Sequence, residues 1–138
     1  MSRKIFFTLA VKDLKKSTDF FTQIGFRFNP EFSGDGSACM IISEDIFAML
    51  ATHEKFRMFS PKEICDTEKC NEVLISITCE SREEVTAVAR KAVAAGATQH
   101  EEAQDYGFML QESFIDLDGH GWNLVHMDPN FKPNAEGK

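Results

Sequence analysis

The sequence predicts an α+β domain of two βαβββ modules that form a half-open, barrel-like cup around a cavity. Three observations predict it. Strand-type alternation at residues 5–11 gives way to helical spacing. A glycine stop and three strand-like runs follow. The whole order then returns with its helix caps, Asp13 and Ser81, 68 positions apart. A period that long is a duplicated module and not a solenoid. At 138 residues the chain suits one domain with a sizeable core.

In "KIFFTLAVKDL", Ile5, Phe7, Leu9 and Val11 share one side of a strand, and Phe6, Thr8 and Ala10 the other. Asp13 caps a helix over "LKKSTDFFTQI", with Leu14, Phe21 and Ile24 near helical spacing and Gly25 as its stop. A short strand at "FRF" precedes a Pro/Gly/Ser stretch from Asn29 to Ser37, read as a loop. Strands near 38–43 and 46–51 flank a turn at "SED".

The second module opens with the strand "EVLISITC". Ser81 and Glu84 make a capping box, and Val85, Val88, Ala89, Ala92 and Val93 form an apolar helix stripe that Gly96 ends. A strand entry at "TQH", a strand near 108–114, the turn "DLDGHG" and a strand at 122–127 complete it. The modules occupy about 1–58 and 71–129, joined by a polar connector at 59–70, with a flexible tail at 130–138. Each four-stranded sheet carries a helix on one face. The second module is expected to cover the other, so that two curved sheets enclose the binding cavity.

Net charge is -7, and the fifteen Lys and Arg residues are scattered, which excludes a nucleic-acid partner. No run approaches the roughly 18 apolar residues of a membrane span. "MSRK" leads directly into a strand without a signal peptide, which predicts a cytoplasmic protein. Cys39, Cys65, Cys70 and Cys79 lack zinc spacing and read as free thiols in a reducing compartment. Thirteen Phe against one Tyr and one Trp predict core rings or the walls of an apolar pocket.

The segments "VKDLKKSTDFFTQIGF", "FNPEF", "ACMIIS", "FSPKEI", "ESREEV", "AQDYGFML", "DLDGHGWN" and "MDP" span nearly the whole chain. Through them the sequence resembles the glyoxalase/bleomycin-resistance/dioxygenase (vicinal oxygen chelate) superfamily, and within it bacterial proteins described as predicted lactoylglutathione lyases. The resemblance implies a divalent metal held by His and Glu side chains on four strands, with open positions for substrate oxygens. It also implies a homodimer. Carried onto this sequence, the first-strand His falls at Phe6, the last-strand Glu at Asn123, and a further ligand near Ala48 to Leu50. Only Glu72, entering the second module, supplies a donor of the right type. No metal ligand set and no cofactor are assigned, and a divalent metal belongs to the enzymatic reading alone.

Phe6, Thr8, Met49, Leu74, Met109 and Asn123 are the candidate ligand-binding residues. The apolar members also suit plain core. Asn123 can donate and accept, towards a substrate or a neighbouring strand. Glu112, set among Phe108, Leu110 and Phe114, and Glu72 are the candidate catalytic acids. His120 and His126 share the parity of Trp122 and Leu124, opposite Asn123, and read as structural or surface residues; nothing converges on His53 or His100. "DLDGH" opens like a calcium loop, but the twelfth position from Asp116 is Met127, so it reads as a hairpin turn.

Three functions of different class follow. One is a small-molecule binder whose metal-ligand positions are lost. The second is a metal-dependent lyase or isomerase of lactoylglutathione-lyase type. The third is a dimeric scaffold without ligand.

Overall fold

Each module begins with a strand that hands the chain to a capped helix. The computed structural model describes residues 3–99 and 101–131, so His100 and the tail from 132 onward lie outside the described residues. In the first module β1 (Ile5–Val11) leads to α1 (Leu14–Gln23), then β2 (Arg27–Gly34), β3 (Ser37–Ser43) and β4 (Ile46–Thr52). A short helix α2 (His53–Phe59) precedes the connector. The second module holds β5 (Leu74–Thr78), α3 (Arg82–Ala94), β6 (Gln104–Asp105), β7 (Met109–Ile115) and β8 (Gly121–Met127).

The caps form where the sequence places them. The Asp13 carboxylate accepts from the Lys16 amide at 3.1 Å, and the Ser81 hydroxyl from the Glu84 amide at 3.0 Å. The Glu84 carboxylate reaches back to the Glu80 amide at 2.7 Å, satisfying a further donor. Gly25 and Gly96 end the two helices at φ +113° and +117°, a region that costs glycine little.

Two four-stranded sheets result, ordered β1-β4-β3-β2 and β5-β8-β7-β6. The pairs β1/β4 and β5/β8 are parallel, and the others antiparallel. The fold is the expected α+β pair of modules, each sheet left unclosed like a cup. The first strand of each module is a sheet edge, and the two edges face a common cleft.

One core serves both modules, on the helix side of the sheets. Leu9 and Val11 of β1, Phe20 and Phe21 of α1, Leu50 of β4, Val85 of α3, Phe114 of β7 and Trp122 and Leu124 of β8 are all buried in it. Phe21 lies 5.4 Å from Trp122 and Phe20 lies 6.0 Å from Phe114 between ring centroids, so α1 packs against the second module's sheet. This corrects the expectation that the second module covers the first sheet's other face. Apolar burial is satisfied through the shared helix side, leaving Phe6 49% and Leu74 64% exposed on the open faces.

Two local expectations are also corrected. The stretch read as a loop from Asn29 continues as β2 to Gly34, with a register shift between those residues. There the Ser33 hydroxyl donates to the Asn29 carbonyl at 2.7 Å and accepts from the Cys39 amide at 3.0 Å, replacing ladder bonds around Pro30, which has no amide to donate. Residues 53–59, ahead of the connector and read without an element of their own, form the helix α2, capped by Thr52 accepting from the Lys55 amide at 3.2 Å. None of its residues is buried.

The turn 116–121 does more than reverse the chain. Asp118 accepts from the Lys12 amide and from the Ser17 hydroxyl, both at 2.8 Å, which ties the turn to the start of α1. Thr67 of the connector donates to the Asp118 carbonyl at 2.6 Å. Gly119, at φ +84°, lies so close to Thr67 that an added Cβ would meet Oγ1 at 2.5 Å.

Candidate functional site

Strand parity sorts the candidate residues, because directly paired residues share a face. Thr8 pairs with Met49, which pairs with Cys39; Ser76 pairs with Asn123, which pairs with Ser113. Phe6, Leu74 and Met109 have the same parities as Thr8, Ser76 and Ser113. All six candidate ligand-binding residues therefore stand on the open faces, away from the helices. Phe6 stacks on Phe47 at 4.7 Å, with Phe32 edge-on to Phe6 at 6.3 Å, giving that face an exposed aromatic end.

The second module's part of the face is polar at its middle. Asn123 donates through Nδ2 to the Ser76 hydroxyl at 3.2 Å. Beside it the Ser113 hydroxyl is buried and has no partner. A buried hydroxyl left unpaired costs free energy, and a ligand or water that bonds it recovers that cost. Ser113 was not among the expected site residues, although its parity with Met109 was the available signal.

Between β1 and β5 lies a cleft of about 470 Å³ whose walls include Thr8, Leu74, Ser76 and Glu72. Glu72 precedes β5, and its Oε1 sits 2.5 Å from His120 Nδ1. His120 is buried, and its other ring nitrogen, Nε2, donates to the Ala10 carbonyl at 2.7 Å. That carbonyl can only accept, so Nε2 carries a proton, while Nδ1 faces the Glu72 carboxylate without a well-formed hydrogen bond. His120 also lines a second cavity of about 490 Å³, bounded by connector residues 60–68. Its structural reading stands, and the pairing with Glu72 is what the sequence did not suggest.

The two candidate acids are not brought together. Glu112 pairs in register with Leu124, on the helix side, and accepts from the Thr86 hydroxyl of α3 at 2.8 Å. It is 9% exposed and lies opposite the face that holds Asn123. His126 is held by the Cys79 carbonyl, 3.0 Å from Nδ1.

Two groups near the site have displaced proton affinities. Burial pushes the Asp116 carboxyl up, against the opposing pull of His120, the Trp122 indole and two amides. Burial, then the charge of Glu84, pushes the Cys79 thiol up to about 11, so it stays protonated and unreactive near neutral pH.

The positions where a metal would stand do not fit one. Phe6 and Met49 offer no hard donor, and Asn123, whose Nδ2 donates to Ser76, offers a neutral amide oxygen in place of a carboxylate. Among the described residues no group of three or more His, Cys, Asp or Glu is placed to hold a metal ion. None of the described helices is long and apolar enough to cross a membrane.

Two modules of this order, parallel at β1/β4 and β5/β8 and open on one face, make a specific architecture. The family model of the Glyoxalase/Bleomycin resistance protein/Dioxygenase superfamily matches residues 5–124. The chain belongs to that superfamily. Among solved structures, a hypothetical protein from S. aureus is similar at 28% identity and TM-score 0.77, over 91% of this chain and 94% of that one. A glyoxalase-related enzyme from Fulvimarina pelagi shares the fold at 18% identity and TM-score 0.75, over 100% of this chain and 96% of its own. A glyoxalase/bleomycin resistance protein/dioxygenase family enzyme from Burkholderia phytofirmans PsJN does so at 15% identity and TM-score 0.75, over 91% and 99%. No curated protein matches the chain in sequence.

Proposed function

We propose that this superfamily member is a small-molecule-binding protein that has lost the usual metal-ligand positions and takes its ligand on the open face, at the cleft between the modules. One observation carries the reading: Phe6, Thr8 and Met49 stand on the first sheet's open face and Leu74, Met109 and Asn123 on the second's, where side chains without metal-donor chemistry accompany a polar row. Ser76, Asn123 and the unpartnered Ser113 hydroxyl supply that row. Apolar walls with a few convergent polar groups are what a small-molecule site needs. A second copy of the chain covers the open faces, since Phe6, Phe32 and Leu74 are otherwise 49%, 56% and 64% exposed.

The test is metal content and ligand response of untagged protein purified without chelator. The expected result is no stoichiometric nickel, zinc, manganese or iron, together with thermal stabilisation by a small apolar compound bearing a hydrogen-bonding group. About one metal per chain would overturn the reading. Neither metal nor stabilisation across a broad compound set would leave the dimeric scaffold. Sedimentation equilibrium checks the second copy.

A second reading, a metal-dependent lyase or isomerase of lactoylglutathione-lyase type, is favoured by Glu72. Its carboxylate stands at the cleft, backed by His120, where a proton-transfer group would be useful. It ranks lower because the donor set around it does not fit a metal. Turnover lost in Glu72→Gln would favour it.

A further inference from the structure

The connector holds a feature that the ligand site does not use. In "CDTEKC", residues 65–70, the chain folds into a turn in which the Lys69 and Cys70 amides both donate to the Asp66 carbonyl, at 3.0 and 2.9 Å. The turn brings its two flanking cysteines back together, with Cys65 Sγ 3.8 Å from the Cys70 carbonyl oxygen. Cys70 is exposed and Cys65 half-buried, and both are free thiols. Cys39 is fully buried, and Cys79 lies at the end of β5.

We propose that Cys65 and Cys70 form a reversible dithiol/disulfide site whose oxidant is a small-molecule disulfide. The Cys70 thiolate attacks one sulfur of that disulfide, making a mixed disulfide and expelling one small thiolate. The Cys65 thiolate then attacks the Cys70 sulfur, closing the intramolecular bond and expelling the second. The protein loses two protons and two electrons, and the small disulfide becomes two thiols. Accessibility assigns the order: the exposed sulfur meets the reagent and the half-buried one resolves it. The Cys65 thiol, pushed up by burial, then by Glu72, Cys70 and Asp66, carries less thiolate than an ordinary thiol, which suits it to the second step.

The bond would act on the cup's supports. Cys65 is part of the wall of the 490 Å³ cavity that His120 also lines. Thr67, inside the turn, donates to the Asp118 carbonyl and abuts Gly119. Oxidation adds a covalent constraint to this turn beside the Thr67–Asp118 bond, which the reduced protein already holds.

The test treats the full-length protein with glutathione disulfide, followed by intact-mass and peptide analysis under non-reducing conditions. The expected product is a monomeric species lighter by two hydrogen atoms, with Cys65 linked to Cys70 and reversed by dithiothreitol. In Cys65→Ser the reaction should stop at a glutathione adduct on Cys70, and in Cys70→Ser the internal bond should be absent. A wild-type protein that accumulates only the Cys70 adduct, that cross-links between chains, or that remains unmodified would overturn the proposal.

Discussion

Glu72 and His120 meet at 2.5 Å across 48 residues of chain, and the same imidazole bonds the Ala10 carbonyl of the other module. A buried ring that contacts one group on each module is a joint. Replacing His120 with Ala removes both contacts, leaving the Ala10 carbonyl without its donor and the Glu72 carboxylate without its neighbour. The expected loss is about 2–4 kcal/mol in urea unfolding. Glu72→Gln keeps a hydrogen-bonding group and should cost less. The double variant should lose less than the sum of the two, because the residues share one interaction.

Gly119 should be the least replaceable glycine of the hairpin. Alanine there must adopt φ +84° and place its Cβ 3.2 Å from the Thr67 carbonyl as well as against Oγ1. The expected cost exceeds about 2 kcal/mol, combining backbone strain with a clash. Gly34→Ala is the control, since its φ is ordinary and nothing lies within 4 Å of the added carbon. That variant should unfold within about 0.5 kcal/mol of wild type.

Asp116 predicts a pH dependence whose sign can be worked out. Its folded pKa is raised above the ordinary 3.8 by burial, so the folded protein holds this proton more tightly than the unfolded chain. Stability from this group is present at low pH and declines as pH rises from about 3.8 through the folded value. Asp116→Asn removes that titration but turns an amide nitrogen towards donors, including the Trp122 indole N–H now bonded at 2.9 Å. The variant should lose about 1–3 kcal/mol. The loss should be larger at acid pH than at neutral pH, and a loss that grows with pH would refute the assignment.

How much of this was legible in the sequence depended on range. The alternation of residues 5–11 and the caps at Asp13 and Ser81 are local signals, and they located β1, α1 and α3. Period-two parity was enough to put Phe6, Thr8, Met49, Leu74, Met109 and Asn123 on one kind of face. The α2 helix was not visible because it buries nothing. The clasp was invisible for a different reason. Its bonds join Lys12 to Asp118 and Ala10 to His120, over 106 and 110 residues, and two of the partners are main-chain atoms that carry no side-chain signature. The same long range hid which faces the modules bury, since that is decided by α1 packing on the second sheet.

That choice of buried face gives the final prediction. Phe21 is 1% exposed and touches Phe20, Phe26 and Trp122 in the shared core. Phe6 is 49% exposed on the open face, with Phe47 and Phe32 as its ring neighbours. Phe21→Ala should therefore cost about 3–5 kcal/mol, through lost transfer energy and a cavity. Phe6→Ala should cost about 1 kcal/mol or less in dilute, monomeric protein, since its ring is already half in water. If a second copy covers that face, the Phe6 variant should instead show its effect in self-association, with a weakened dimer by sedimentation at unchanged monomer stability. A Phe6 variant as unstable as the Phe21 variant at low concentration would mean that the open face is closed within the single chain.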